Sequence, residues 1–130
     1  MPVRRVVIDH VTVGVRDLAR SRDFYLAALA PLGFGEIGPW SPDNTAVAFG
    51  PPGLDDFIVS LVYEPGTTHV AFAAEDRDQV DAFHAAALAA GGRDNGAPGP
   101  RAEYSPGYYG AFVLDPDGHN VEAVFHDPVA

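Results

Sequence analysis

A chain of 130 residues, 47% of them hydrophobic, is long and apolar enough to form one domain with a core. The net charge of −10 argues against a nucleic-acid-binding surface, which needs clustered cations. All eight basic residues are arginine and cysteine is absent, which excludes Schiff-base lysines, thiol nucleophiles, disulfides and thiolate metal sites.

The first half of the chain predicts a strand, a helix and three more strands. Residues 6–15 are β-branched and alternating, which places His10 and Thr12 on one strand face and the valines on the other. Asp17 is positioned as the N-cap of a helix, and Gly33 lies where that helix should end. The three further strands are predicted at residues 33–39, 45–50 and 56–63.

The second half repeats this order after a break at residues 64–66, Glu-Pro-Gly. Residues 68–74 predict a strand that carries His69, and Asp76 predicts the start of a helix that ends at Gly91. Residues 93–106 are rich in Gly and Pro and predict a loop. Two final strands are predicted at residues 108–114 and 119–126, joined by a tight turn.

The two halves therefore look like copies of one βαβββ unit, module 1 (6–64) and module 2 (67–127). Each begins with a strand that has one histidine near its start. A helix should cover one face of each sheet, and the two uncovered faces should form a cleft. Aligning the halves pairs Val59 with Glu122.

The order of these segments resembles the vicinal oxygen chelate superfamily, which includes glyoxalase I, extradiol dioxygenases, and fosfomycin and bleomycin resistance proteins. The resemblance implies an α+β fold in which two tandem βαβββ modules form a cupped mixed sheet with helices on the outer face. The matching stretches cover nearly the whole chain: residues 8–11 (IDHV), 17–25 (DLARSRDFY), 69–72 (HVAF) and 112–122 (FVLDPDGHNVE).

The resemblance also implies one divalent metal ion in the cup. It places ligands at His10, His69 and Glu122, and a fourth position at Val59, which cannot bind a metal; a slip of one residue would put Ser60 there. Two imidazoles and a carboxylate suit Fe²⁺, Zn²⁺, Mn²⁺, Ni²⁺ or Co²⁺ and leave positions open for a chelating substrate. The alternative is that both histidines are hydrogen-bonded remnants in an empty cleft.

Cationic and aromatic residues predict the walls of a substrate site. Arg101 is suited to hold a carboxylate or phosphonate, and tyrosines to stack on a ring or donate hydrogen bonds. The competing interpretation is an ordinary surface loop with one core tyrosine. The candidates are Arg101, Tyr104, Tyr108 and Tyr109 on one wall, and Val59, Tyr63 and Trp40 on the other.

Two functions fit these residues. One is a metal-dependent enzyme, a lyase, isomerase or dioxygenase, acting on a small substrate with vicinal oxygens. The other is a metal-free small-molecule or drug-binding protein of the bleomycin-resistance kind. We expect a cytoplasmic protein without membrane or nucleic-acid partners, because the chain has no spanning apolar run and no signal-peptide pattern. We also expect a homodimer, since symmetric pairing covers open sheet edges.

Overall fold

Two four-stranded sheets, each with one helix, make up the computed structural model, which describes residues 8–38 and 43–128. Each half has the order strand, helix, strand, strand, strand, so the predicted βαβββ modules are confirmed. The first half contains β1 (Val11–Gly14), α1 (Leu18–Leu29), β2 (Gly35–Ile37), β3 (Ala46–Gly50) and β4 (Phe57–Ser60). The second contains β5 (His69–Ala73), α2 (Arg77–Ala89), β6 (Arg93–Pro100), β7 (Tyr108–Leu114) and β8 (Asn120–His126).

Both sheets are mixed and share one topology. The strand orders are β1-β4-β3-β2 and β5-β8-β7-β6. The first strand of each module pairs in parallel with the last, and the other neighbours are antiparallel. The predicted α+β fold with mixed sheets is therefore confirmed, and β1 and β5 each lie at an edge of their sheet.

The prediction of a loop at residues 93–106 is wrong for its first part, which forms β6. This strand lies at the edge of its sheet and pairs with β7 through two register shifts, between Asp94 and Gly96 and between Gly96 and Gly99. An edge strand tolerates proline and bulges, because one side of its backbone needs no ladder partner. The Gly- and Pro-rich composition therefore indicated an irregular edge strand.

The helices begin where the sequence predicts. Asp17 and Asp76 are extended N-cap residues, and each side-chain carboxylate accepts a hydrogen bond from the backbone N–H three residues on. After α1, a short 3₁₀ turn at Ala30–Leu32 ends at Gly33, whose φ of 85° is easily adopted by glycine. Within the described ranges, neither helix is long and apolar enough to cross a membrane.

One hydrophobic core joins the two modules. Apolar residues of α1 and α2 pack with the inward faces of both sheets. The rings of Phe57 on β4 and Phe72 on β5 meet edge to face with centroids 5.2 Å apart. Burying such rings stabilises the fold by about 2 kcal/mol each. The uncovered sheet faces therefore lie on the side away from the helices, as predicted.

A buried polar network adds a second link between the modules. The Tyr25 hydroxyl on α1 donates to Asp115 Oδ2 at 2.5 Å, and the same carboxylate accepts the backbone N–H of His119. The His119 ring is 1% exposed, with Nε2 2.7 Å from the Gly14 carbonyl oxygen and Nδ1 2.7 Å from the Thr68 hydroxyl. The turn between β7 and β8 is thereby fixed against the end of β1 and the start of β5.

Candidate functional site

His69 and Glu122 lie together on the uncovered face of the second sheet. In the parallel register of β5 and β8, His69 lies beside Asn120 and Ala71 beside Glu122. His69 Nε2 is 3.0 Å from Glu122 Oε1, and its Nδ1 is 3.1 Å from the Asn120 carbonyl oxygen. Because the carbonyl can only accept, Nδ1 carries a hydrogen, and a bare Nε2 lone pair would repel the carboxylate unless a cation or a proton lies between them. Two of the three predicted ligands are therefore brought together.

Tyr108 on β7 binds the second oxygen of the Glu122 carboxylate. Its hydroxyl donates a hydrogen bond to Glu122 Oε2. Burial, and next the hydrogen bond and negative charge of Glu122, raise the pKa of the Tyr108 hydroxyl well above its usual value. Tyr108 therefore stays a donor at neutral pH. Gly110 makes room for this arrangement, because a Cβ there would lie 3.1 Å from Glu122 Oε2.

His10 lies apart from this pair. It lines a cavity of about 250 Å³ on the first sheet with Thr12, Ser60 and Tyr63, and its Nδ1 is 2.9 Å from Asp9 Oδ1. The hydrogen bond with Asp9 raises the pKa of His10. Across residues 8–38 and 43–128, no group of three or more His, Asp or Glu side chains is placed to hold a metal. Within one chain, the third predicted ligand, His10, is therefore not brought together with His69 and Glu122.

The alignment that paired Val59 with Glu122 is wrong by one residue. Thr12 on β1 lies beside Ile58, just as Ala71 on β5 lies beside Glu122. Val59 is fully buried in the hydrophobic core on the helix side, so it forms no wall of the cleft. The fourth ligand position therefore falls on Ile58, whose side chain, like that of valine, has no atom that can bind a metal.

The predicted substrate residues divide between several places. Arg101 and Tyr104 line a cavity of about 230 Å³ beside the His69–Glu122 pair, whereas Tyr63 lines the His10 cavity. Tyr109 faces the helix side, where its hydroxyl donates to Asp81 and Arg77 lies over its ring. Strand alternation explains this difference from Tyr108. Trp40 lies outside the described residues.

Sequence reasoning missed four residues of the second cavity: Asn95 and Gly96 on β6, and Phe112 and Asn120 beside the His69–Glu122 pair. The ring of Phe112 stacks on that of His69 with centroids 6.1 Å apart. Phe112 is two residues from Gly110 on β7, and Asn120 is two residues from Glu122 on β8, so both lie on the uncovered face of the sheet. The resemblance identified Glu122, and period-two alternation from that residue along β8 and from its neighbours on β7 was sufficient to find them.

Comparison with known proteins identifies the family. The sequence model of the glyoxalase/bleomycin resistance protein/dioxygenase superfamily matches residues 7–123. The chain belongs to that superfamily. The predicted resemblance is thereby confirmed over nearly the whole length. No curated protein matches the chain.

Solved structures of this superfamily are similar to the chain. A glyoxalase/bleomycin resistance protein from Albidiferax ferrireducens T118 is 34% identical, with a TM-score of 0.72 over 90% of this chain and 96% of that one. A glyoxalase/bleomycin resistance protein/dioxygenase family enzyme from Burkholderia phytofirmans PsJN is 21% identical, with a TM-score of 0.69 over 93% and 99%. The second likeness shows the fold alone.

Members of the superfamily often bind a divalent metal, and an imidazole and a carboxylate are donor groups that such ions accept. The observed separation of His69 Nε2 and Glu122 Oε1 is 3.0 Å. The Asn120 carbonyl and the Tyr108 hydroxyl orient the two donors from behind, as supporting groups of metal sites do. The described residues bring two donors of a suitable kind together here, and no third His, Asp or Glu.

Proposed function

We propose that this protein is a metal-dependent enzyme of the glyoxalase/dioxygenase kind, acting as a lyase, isomerase or dioxygenase on a small substrate with vicinal oxygens. The observation that carries the proposal is the 3.0 Å approach of His69 Nε2 to Glu122 Oε1, with His69 Nδ1 held by a backbone carbonyl. A carboxylate that is 1% exposed is costly to bury unless a cation or hydrogen bonds compensate it, and Tyr108 supplies one hydrogen bond. A divalent ion bound by the two donors would supply the compensating charge.

The chain's own residues have distinct tasks in this proposal. His69 and Glu122 bind the ion, which supplies Lewis-acid stabilisation of negative charge on substrate oxygens. Tyr108 keeps its proton and holds Glu122 Oε2, so that Oε1 stays directed toward His69. Phe112 stacks on the His69 ring and limits its rotation. The half-exposed His69 leaves the site open to a substrate from solvent.

We further propose that His10 reaches this site from a second copy of the chain. Two apolar side chains that line its cavity face solvent: Val62 and Tyr63 are 70% and 60% exposed, and their neighbour Leu61 is 45% exposed. Covering them stabilises a dimer. In a symmetric dimer, each partner then supplies His10 to the other's pair and receives one in return.

The metal content of the purified protein tests the first part. We expect about one divalent ion per chain by elemental analysis, and its loss in His69→Ala and in Glu122→Gln. Glu103→Gln, an exposed carboxylate in the loop after β6, is the matched control and should retain the ion. Protein that contains no metal and takes up none of Fe²⁺, Zn²⁺, Mn²⁺, Ni²⁺ or Co²⁺ would contradict the proposal.

A mixing experiment tests the contribution from a second copy. His10→Ala and Glu122→Gln chains are refolded together, and metal content is compared with that of each variant alone. If the site is shared, half of the dimers are mixed and each holds one intact site, so about a quarter of all sites recover. If each site lies within one chain, mixing restores none, because every site lacks one ligand.

One observation favours the metal-free alternative. Glu122 already has a partner for each oxygen, with His69 at Oε1 and Tyr108 at Oε2. An imidazolium in place of the ion would neutralise the carboxylate, leaving a binding protein without metal chemistry. Metal-free protein with a fully formed fold that binds an aromatic ligand tightly would support this alternative.

A further inference from the structure

Asn95 and Gly96 lie at an irregular point of the edge strand β6. Asp94 pairs with Val113 and Gly96 with Phe112, so Asn95 is an extra residue without a partner in the register of the two strands. Asn95 is also exposed to solvent. A residue outside the ladder is restrained by fewer hydrogen bonds than its neighbours, so its backbone and side chain change conformation more easily.

The fold requires glycine at position 96. The φ of Gly96 is 154°, which residues with a side chain rarely adopt. A Cβ there would also lie 2.9 Å from Cδ1 of the Phe112 ring. Glycine has no side chain to hinder its own backbone nitrogen, so the nitrogen of Gly96 can approach the side-chain amide of Asn95 closely. The shape of the bulge therefore creates the dipeptide in which an asparagine amide is attacked most easily.

Asp94 holds the nitrogen that would make this attack. The Gly96 N–H donates to Asp94 Oδ1 at 3.0 Å, and His84 Nε2 on α2 lies 3.0 Å from the same oxygen. The hydrogen bond with His84, and next that of the Gly96 N–H, lower the pKa of Asp94. A carboxylate of low pKa is a weak base, so it stabilises the N–H and does not remove its proton. The amide nitrogen of Gly96 is thereby kept protonated.

We propose that Asn95 is a site of spontaneous deamidation, and that Asp94 slows the reaction by holding the Gly96 N–H. In the first step the Gly96 nitrogen forms a bond to Asn95 Cγ, and the Cγ–Nδ2 bond breaks. The proton of the Gly96 N–H passes through solvent to the departing Nδ2, which leaves as ammonia. Water then adds to the resulting succinimide ring and opens it, which leaves aspartate or isoaspartate at position 95.

The modification changes the charge of the 230 Å³ cavity. Asn95 and Arg101 both line it, and among the described residues of the lining Arg101 is the only cation. A carboxylate at position 95 would oppose that positive charge. In isoaspartate the main chain also gains one carbon atom, which disturbs the pairing of β6 with β7 at the bulge. The reaction needs water alone and is independent of any metal.

Peptide mapping of the full-length protein tests the site. The protein is incubated at neutral pH and raised temperature, and trypsin then releases residues 94–101 as one peptide that contains Asn95. Chromatography with mass spectrometry separates the asparagine, aspartate and isoaspartate forms, and an unincubated sample gives the background of the digestion. We expect conversion at Asn95 to exceed that at Asn44 and Asn120, which both precede β-branched residues.

Two variants test the protection by Asp94. Asp94→Ala should speed conversion about tenfold, because the Gly96 N–H loses a bond to a charged acceptor. His84→Ala is the matched control: it removes the other donor to Asp94 but not the bond to Gly96, so its rate should stay close to that of the wild type. In urea the wild type and Asp94→Ala should react at the same rate, because the folded contact is absent. Unfolding curves verify that both variants fold.

Several results would overturn the inference. If Asn95 converts no faster than Asn44 and Asn120, it is not a preferred site. If folded Asp94→Ala reacts no faster than His84→Ala, the bond from Gly96 to Asp94 gives no protection. If Asp94→Ala reacts more slowly than the wild type, the carboxylate acts as a base and promotes the reaction.

Discussion

Tyr108 and Tyr109 are consecutive on β7, yet their hydroxyl groups bind carboxylates on opposite sides of the second sheet. Tyr108 donates to Glu122 on the uncovered face, and Tyr109 donates to Asp81 of α2 at 2.7 Å on the helix side. The two residues therefore form a natural pair of test and control: the same hydroxyl can be removed from either face with little change to the strand.

Removing the hydroxyl of Tyr108 should weaken metal binding. In Tyr108→Phe, Glu122 Oε2 loses its donor, and the carboxylate is no longer held toward His69. Loss of such a supporting contact costs about 10- to 100-fold in metal affinity. Competition with a chromophoric chelator measures the change. Tyr109→Phe should bind metal as the wild type does, and equal effects of the two variants would contradict the assignment.

Tyr25 should make the fold sensitive to alkaline pH. Burial, and then the charge and hydrogen bond of Asp115, raise the pKa of its hydroxyl well above the ordinary value of 10.0. The unfolded chain loses this proton near pH 10 and the folded chain keeps it, so its contribution is complete below pH 10. Above pH 10 stability should fall by about 1.4 kcal/mol per pH unit from this group, until the folded pKa is reached.

Tyr25→Phe separates this contribution from those of other tyrosines. At neutral pH the variant should lose about 1.5–3 kcal/mol in urea unfolding, because Asp115 loses a buried donor. The difference between wild type and variant should then shrink as pH rises above 10. Tyr63→Phe, at a residue 60% exposed, should stay within about 0.5 kcal/mol of wild type. A constant difference from pH 8 to 11 would refute the prediction.

His119 should be required for stability rather than for metal binding. His119→Ala leaves the Gly14 carbonyl without its donor and a cavity where a 1% exposed ring lay. We expect a loss of about 3 kcal/mol or more in the free energy of unfolding. His126→Ala, at the exposed end of β8, should cost less than about 1 kcal/mol. Refolded His119→Ala should still take up metal. A variant that keeps its fold but binds no metal would show that His119 serves metal binding and not stability.

Gly14 should tolerate no side chain. A Cβ at this position would lie 2.4 Å from the backbone oxygens of both Tyr63 and Glu64, and backbone atoms cannot easily move aside. Gly14→Ala should therefore destabilise the protein by about 1–3 kcal/mol. Gly35→Ala places its methyl group in open space on β2 and should be neutral or slightly stabilising. Thermal unfolding distinguishes the two variants.

Local signals in the sequence predicted most of the fold. The N-caps Asp17 and Asp76 are set by residues next to them in sequence, and the structure confirms both. Strand alternation likewise placed His10 and Thr12 on one face, and both line the same cavity. The β6 strand was missed because its partner β7, and not its own Gly- and Pro-rich composition, decides its conformation.

The site was predicted less completely, for two physical reasons. A shift of one residue in register moves a side chain to the opposite face, so the alignment chose Val59 where the structure has Ile58. The separation of His10 from His69 depends on how the two modules pack, which no local pattern encodes. The resemblance named His69 and Glu122 as ligands of one site, and alternation agreed by placing both on the uncovered face.

The buried link from Tyr25 to Asp115 and from Gly14 to His119 has a consequence for how this chain can evolve. The first module carries Pro-Pro-Gly-Leu where the second has the turn that supplies Asp115 and precedes His119. A chain made of two copies of the first module would leave Tyr25 and Gly14 without partners. The two halves are therefore not interchangeable, because the second half supplies the partners that Tyr25 and the Gly14 carbonyl bind in the first.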